Sequence, residues 1–71
     1  MKKQIKVINE LKKEFPNKFF KTSEEFDKEY KNGIWFSGES EYLNPKIKTI
    51  LKKHNFMIEP YDSGTLLAFE Q

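Results

Sequence analysis

Apolar residues in the first part of the chain recur at helical spacing. Four of them lie three or four positions apart, on one stripe of an α-helix: Ile5, Ile8, Leu11 and Phe15. Pro16 ends this pattern, because proline has no amide donor and its ring clashes with the preceding turn. The spacing therefore predicts a first helix over Lys3 to Phe15.

A second helix is predicted after Asn44-Pro45. Asparagine is a favoured N-cap, and proline suits the first helical position because its missing amide costs nothing there. The stripe predicted to be buried consists of Ile47, Ile50, Leu51 and either His54 or Phe56.

Three strands are predicted from short β-rich runs. Ile34-Trp35-Phe36 forms one strand, which ends at Gly38. Phe56 to Tyr61 and Thr65 to Phe69 form a hairpin around Asp62-Ser63-Gly64, where the glycine is expected to need a positive φ. Pro60, inside the first strand of this hairpin, indicates an edge position or a bulge.

The segment before the first of these strands has two interpretations. Thr22-Ser23-Glu24-Glu25-Phe26 satisfies the capping-box pattern, which predicts a short helix over Ser23 to Tyr30. The competing interpretation is a strand over Lys18 to Thr22, followed by a mobile acidic loop over Glu24 to Asn32. Both can hold at once, so a fourth strand is compatible with a capped helical turn.

The two halves of the chain repeat one pattern. Leu11-Lys12-Lys13-Glu14-Phe15 is echoed by Leu51-Lys52-Lys53-His54-Asn55-Phe56, and each stretch closes a helix that precedes two strand-like runs. Two α-β-β units are thus predicted within a single domain over residues 1–71. The predicted fold class is α+β, in the order α-β-β-α-β-β, with a mainly antiparallel four-stranded sheet and both helices packed on one face.

Composition removes several classes of site. The chain has no cysteine and one histidine, which excludes disulfides and cysteine-based zinc sites and argues against a His-rich metal site, so we expect no metal and no cofactor. No apolar run is long enough for a membrane span, and lysines interrupt the N-terminus, so neither a signal peptide nor membrane contact is expected and the location is predicted to be cytoplasmic.

Charge is segregated along the chain. The net charge is +5 over residues 1–21, −4 over 22–42, +4 over 43–58 and −3 over 59–71. If the two helices share one face of the sheet, that face is basic, while strands and loops are acidic. Such a molecule has a directional field even at a net charge of +2.

A protein partner is the first functional hypothesis. Because strand side chains alternate, either Trp35 or Phe36 points away from the core as a large exposed ring that can anchor a partner. Acidic residues before and after this strand add charge to the same region. The predicted partner-binding residues are Glu24, Glu25, Asp27, Glu29, Trp35, Glu39 and Tyr42.

The alternative is nucleic-acid binding by lysines on the exposed side of the second helix, which are Lys46, Lys48, Lys52 and Lys53. All thirteen basic residues are lysine, and lysine suits bidentate recognition of bases poorly, so nucleic acid is the less favoured partner. A homodimer paired through edge strands is a third possibility. No catalytic residue is predicted, since His54 is interpreted as a capping or surface residue and the chain is not expected to be an enzyme.

Two partial resemblances bear on function. The stretch from Ile47 to Phe56, followed by Ser63-Gly64-Thr65, resembles the opening of HicA-type RNA-cleaving toxins over about a quarter of the chain. Those toxins carry Leu-Lys-Lys-x-x-Phe and then Gly-Ser-His, with a catalytic histidine. Here serine and glycine are transposed and Thr65 stands where the histidine would be needed. The resemblance therefore implies an α/β shape like that of double-stranded-RNA-binding domains, without the catalytic residue.

Three other strings resemble small uncharacterised accessory proteins of phages and prophages, over most of the chain. They are Thr22-Ser23-Glu24-Glu25-Phe26, Gly33-Ile34-Trp35-Phe36-Ser37-Gly38-Glu39 and Tyr61-Asp62-Ser63-Gly64-Thr65. This resemblance implies an accessory protein that binds a host component. Together with the segregated charge, it predicts a non-catalytic protein-binding module, of the kind by which a phage inhibits a host factor.

Overall fold

Three helices and four strands make up the fold of residues 2–71, which a computed structural model describes. In chain order the elements are α1 (Lys3–Glu14), β1 (Phe20–Thr22), α2 (Ser23–Phe26), β2 (Ile34–Ser37), a single 3₁₀ turn (Ser40–Tyr42), α3 (Pro45–Lys53), β3 (Phe56–Asp62) and β4 (Thr65–Glu70). The strands form one sheet in the order β1-β2-β4-β3, and every neighbouring pair is antiparallel. The predicted α+β architecture is confirmed.

The core lies between one face of the sheet and the two longer helices. Because strand side chains alternate, Ile34 and Phe36 of β2 face the helices, together with Phe20 of β1, whose ring centroid is 5.8 Å from that of Phe36. The helices contribute their apolar stripes, which are Val7, Ile8 and Leu11 from α1 and Ile47, Ile50 and Leu51 from α3. Full burial of each large apolar side chain stabilises the fold by about 1.5–3 kcal/mol.

The segment with two interpretations contains both of the predicted elements. β1 ends at Thr22, which also caps α2: its Oγ1 accepts the Glu25 amide, and the Glu25 carboxylate accepts the Thr22 amide. The capping box is therefore present as predicted. However, α2 ends at Phe26 rather than at Tyr30, because Asp27 adopts an extended backbone with φ −156°.

The predictions made from short sequence motifs around α3 and β3 are largely confirmed. The Asn44 side chain accepts the Lys46 amide with Pro45 in the first turn, so α3 begins where the sequence predicts. Pro60 lies on the edge strand β3 beside a register shift, which satisfies both expectations for a proline in a strand. The positive φ expected at Gly64 is wrong. Its amide instead donates to the Asp62 side chain at 2.9 Å, which closes the hairpin.

Two ion pairs connect α1 to other elements of the fold. Glu10 of α1 accepts from Lys53 Nζ at 2.6 Å and hydrogen-bonds His54 Nε2 at 2.8 Å, both at the C-terminal end of α3. Lys3 pairs with Glu70 at the end of β4 at 2.7 Å. The pKa of Glu10 is lowered, first by the Lys53 hydrogen bond and then by that of His54.

Gly33 lies in close contact with β4. A Cβ atom at this position would lie 2.5 Å from Cε1 of Phe69 and 2.8 Å from the carbonyl oxygen of Ala68. Asn32, just before it, supplies a left-handed backbone with φ 64°. The Asn32-Gly33 turn therefore needs a small residue because of packing.

We expect Gly33→Ala to destabilise the protein by about 1–3 kcal/mol, the usual cost of forcing an extra methyl group into a packed site. The measurement is the urea concentration at half-unfolding. Gly64→Ala is the matched control, because the nearest atom to its Cβ is 4.0 Å away. It should change stability by no more than about 0.5 kcal/mol. Equal losses in the two variants would contradict the role of close packing at Gly33.

Candidate protein-binding surface

Five aromatic side chains cluster on the face of the sheet opposite α1 and α3. We call them the aromatic surface: Phe26, Tyr30, Trp35, Tyr61 and Phe69. Phe26 stacks on Trp35 with 6.0 Å between ring centroids and meets Tyr61 edge-on at 4.9 Å. Tyr30 contacts Phe69 at 6.2 Å. Offset-stacked and edge-to-face pairs of this kind each add about 0.5–1.5 kcal/mol beyond area burial.

Trp35 lies at the centre of this face. Phe36, not Trp35, faces the helices, so the orientation that the sequence left open is now defined. The expectation that the outward-pointing ring is largely exposed is wrong, because Phe26 covers the indole and leaves it half-buried. Its Nε1 is shielded and has no acceptor within residues 2–71, so apolar contact rather than hydrogen bonding holds the ring. Lys21 Nζ lies 5.7 Å from the ring centroid.

A buried hydrogen-bond cluster, which we call the loop clasp, positions the segment between α2 and β2. Ser23 is fully buried, and its Oγ donates to the Tyr30 carbonyl at 2.6 Å and accepts the Gly33 amide at 2.9 Å. Gln4, buried in α1, donates through Nε2 to the Gly33 carbonyl at 2.5 Å and to Glu24 Oε1 at 2.8 Å. The clasp consists of Gln4, Ser23, Glu24 and Gly33.

Both carboxylate oxygens of Glu24 accept hydrogen bonds within the fold. Its second carboxylate oxygen accepts the Asn32 amide at 2.9 Å. That bond, followed by the one from Gln4, lowers the pKa of Glu24 to about 2. Hydrogen bonds therefore hold both ends of the acidic segment, and Glu24 to Phe26 lie in α2 rather than in a loop.

The other acidic residues of this loop that were predicted to bind a partner make different contacts. The Glu25 carboxylate belongs to the capping box, and its pKa is lowered by the Thr22 amide and then the Thr22 hydroxyl. Asp27 accepts the Glu29 amide at 2.9 Å, which forms a local turn. Glu29 is exposed, and its carboxylate accepts no hydrogen bond in the described part of the chain. Of the acids in this loop, Glu29 is thus the one whose carboxylate is most available to a partner.

The remaining predicted contact residues lie at one end of the sheet. Glu39 and Glu41 line an open hollow of about 240 Å³ together with Pro60, Asp62 and Ser63. Tyr42, in the 3₁₀ turn, is 80% exposed. The hollow borders the aromatic surface, because Pro60 and Asp62 flank Tyr61 in β3. Across residues 2–71, no group of three or more His, Asp or Glu side chains is arranged to hold a metal ion.

The lysines of the alternative hypothesis lie on the opposite side of the sheet. Lys46, Lys48 and Lys52 are exposed on α3, whereas Lys53 pairs with Glu10. Together α1 and α3 carry eight lysines and two glutamates, so the helical layer has a net charge of +6 while the rest of the chain sums to −4. The expected basic helical face is present, and the aromatic surface lies across the sheet from it.

Sequence reasoning missed the aromatic surface as a unit. One signal for it exists, because Leu66 to Phe69 is a continuous apolar run, which is typical of a strand covered on both faces. Leu67, on the outer face beneath the rings, is only 3% exposed. The hydrogen bonds of Gln4 and Ser23 have no local sequence signal, since Gln4 is 29 residues from its partner Gly33.

Comparison of the chain with protein-family models, with curated proteins and with solved structures finds no significant match. The resemblances to HicA-type toxins and to phage accessory proteins therefore stay predictions. Within the described chain, none of the helices combines the length and the apolar content needed to cross a bilayer.

We expect Glu24→Gln to make the free energy of unfolding less dependent on pH in the acidic range. A carboxylate whose pKa is lowered in the folded state stabilises fully above its unfolded value of 4.5, and this contribution is lost as pH falls toward 2. At pH 7 the variant should be less stable by about 1 kcal/mol, allowing for solvent screening, and the difference should shrink between pH 4.5 and 2. Chemical denaturation at each pH measures both effects.

Glu29→Gln is the matched control, since this carboxylate lies in the same loop without a hydrogen-bond donor among residues 2–71. It should follow the pH dependence of the unsubstituted protein. Parallel stability curves for Glu24→Gln and the unsubstituted protein from pH 7 to pH 2 would refute the assigned role of Glu24.

Proposed function

We propose that this protein is a small non-catalytic binding module that acts through protein–protein contact at its aromatic surface. The observation that carries the proposal is a ring cluster fixed on an uncovered sheet face, with Tyr61 52% exposed. Met57, which pairs with Phe69 in the sheet, is 55% exposed beside it. Aromatic residues and methionine are enriched in protein interfaces, and buried aromatic anchors dominate their energetics.

The surroundings of the rings support a protein partner. Interfaces typically combine an apolar centre with a polar rim of both charge signs. Here Lys21 lies over Trp35, while Asp27 and Glu29 belong to the loop that carries Tyr30. Because the loop clasp orders this segment before binding, little conformational entropy is lost on association.

The more specific form of the proposal is inhibition of a host factor by a phage-type protein in the cytoplasm. The acidic hollow next to Tyr61, with Glu39 and Asp62, supports this form. Such a surface can compete with nucleic acid for a basic channel, since it combines negative charge with rings that fill apolar pockets. The net charge of −4 outside the two helices favours a basic partner surface.

We expect the double variant Tyr61→Ser with Glu29→Lys to lose its partner. These side chains are exposed, whereas charge reversal at Glu24 or Glu25 would disrupt the loop clasp or the capping box. Affinity capture from host lysate, followed by mass spectrometry, identifies proteins held by the unsubstituted chain. The double variant should lose one of them by at least tenfold, as expected for removal of an aromatic anchor.

Lys6→Glu with Lys13→Glu is the control, since both lysines are exposed on α1 at the opposite side of the sheet. Purified partner should also shift the fluorescence of Trp35, the single tryptophan, which lies within the proposed interface. Equal capture by the double variant, together with unchanged Trp35 emission on partner binding, would contradict the proposed surface.

Nucleic-acid binding is the second candidate function, favoured by the charge of +6 on the helical layer. Within residues 2–71, Lys46, Lys48 and Lys52 form no ion pair with an acid. The lack of aromatic residues on the exposed side of α3 leaves phosphate contact as the binding mode.

If this candidate holds, gel shift at low salt gives a complex whose affinity falls steeply with ionic strength. The triple variant Lys46→Glu, Lys48→Glu and Lys52→Glu should abolish that complex, while Lys6→Glu with Lys13→Glu should weaken it only modestly. If no complex with DNA or RNA forms at about 20 mM salt, where charge screening is weak, nucleic-acid binding is ruled out as the function.

A further inference from the structure

Among residues 2–71, no strand pairs with the outer edge of β3. β3 is an end strand of the sheet, and the Gln71 amide donates to the Asn55 carbonyl at 2.8 Å. Hydrogen-bonded and non-bonded pairs alternate in an antiparallel ladder, so every second residue after Asn55 bonds to β4. The residues between them, Phe56, Ile58 and Pro60, therefore direct their backbone groups outward.

The two edges of the sheet differ in how they are protected. β1 is three residues long, and the Thr22 amide on its outer side is already bound by Glu25. β3 is seven residues long, and Pro60 removes one donor at its far end. The amides of Phe56 and Ile58 remain, together with three outward carbonyl groups, which suffices to pair a short extended strand.

An open groove of about 380 Å³ lies beside this edge. Its apolar part consists of Leu51 from α3 and of Phe56, Met57 and Ile58 from β3. Lys48 and Lys52, one turn apart on α3, form its basic side. The groove has no acidic residue among those that line it.

We propose that the β3 edge and this groove bind an extended segment of another protein in which apolar and acidic residues alternate. The segment would add a fifth strand to the sheet, with main-chain hydrogen bonds to Phe56 and Ile58. Its acidic side chains would meet Lys48 and Lys52, because α3 contains four lysines and no acid. Its apolar side chains would lie against Met57 on the other face of the sheet.

A second copy of this chain fits the edge less well. Antiparallel pairing of two β3 strands would bring two α3 helices together, each with lysines and no acid to oppose them. Pairing centred on Ile58 would also place Phe56 opposite Pro60 of the other copy, where one donor is missing. Charge complementarity thus favours an acidic strand over self-association.

The outer β3 edge and the groove lysines lie apart from the rings of the aromatic surface, whereas Met57 borders both, so substitution of Lys48 and Lys52 tests the edge by itself. The probe is a synthetic nine-residue peptide of alternating valine and glutamate with a fluorescent label, and binding is measured by fluorescence anisotropy at low salt. We expect Lys48→Glu with Lys52→Glu to weaken binding at least tenfold. Lys6→Glu with Lys13→Glu should change it less than twofold.

Strand addition is distinguished from simple charge attraction by changing the peptide. N-methylation of the amides that would face β3 should abolish binding, whereas N-methylation of the alternate amides should not. Hydrogen exchange at the Phe56 and Ile58 amides should slow at least tenfold with the unmodified peptide bound.

Several results would overturn the proposal. They are no binding at about 1 mM peptide, equal binding of both N-methylated peptides, and unchanged exchange at Phe56 and Ile58. Light scattering that detects a dimer, with slowed exchange of these two amides at high protein concentration, would assign the edge to a second copy. Tighter binding of an oligonucleotide than of the peptide, with the same dependence on Lys48 and Lys52, would assign the groove to nucleic acid.

Discussion

The buried amide of Gln4 is the interaction on which the rest of the structure depends. A polar group in an apolar core destabilises the fold unless it is hydrogen-bonded, and both donors of this amide are used, on the Gly33 carbonyl and the Glu24 carboxylate. These bonds connect α1 to both ends of the loop between α2 and β2. Ser23 holds the same loop through Tyr30 and Gly33, so hydrogen bonds within the fold define the path of the loop over the sheet. The outer rings therefore depend on a side chain in the inner layer.

The sheet divides the molecule into layers with different chemistry. The inner layer contains the apolar core, including the rings of Phe20 and Phe36, and carries the lysines on its solvent side, whereas the outer layer consists mainly of the rings of the aromatic surface. β4 is central and covered on both faces, by the helices at Leu66 and Ala68 and by the ring layer at Leu67. For a chain of 71 residues, a second apolar layer adds buried area that one face of a small sheet cannot supply. The rings of the outer layer consequently contribute to the stability of the fold.

Local patterns predicted the scaffold because its signals lie within a few residues of each other. Helical spacing, the Asn44-Pro45 start and the proline of β3 each act through nearby backbone geometry. The ring cluster and the loop clasp join residues that are far apart in the chain, such as Phe26 with Tyr61 and Gln4 with Gly33. No periodicity encodes such pairings, so the sequence left the orientation of Trp35 open and gave no sign that the Glu24 carboxylate is bound by Gln4. The carboxylates of Glu24 and Glu25 are largely used in holding the loop.

The order of the strands also shows how the two α-β-β units differ in the protection of their edge strands. In the order β1-β2-β4-β3, the second strands of both units pair at the centre and the first strands form the two edges. The units differ mainly in their connections, since residues 23–33 separate β1 from β2 whereas Ser63-Gly64 alone separates β3 from β4. The longer connection packs over the central strands and supplies the Glu25 carboxylate, which binds the Thr22 amide and so protects the β1 edge. The two-residue turn Ser63-Gly64 has no long side chain that could do the same for β3. One asymmetric insertion thus creates the aromatic surface and, by its absence from the second unit, leaves the β3 edge open.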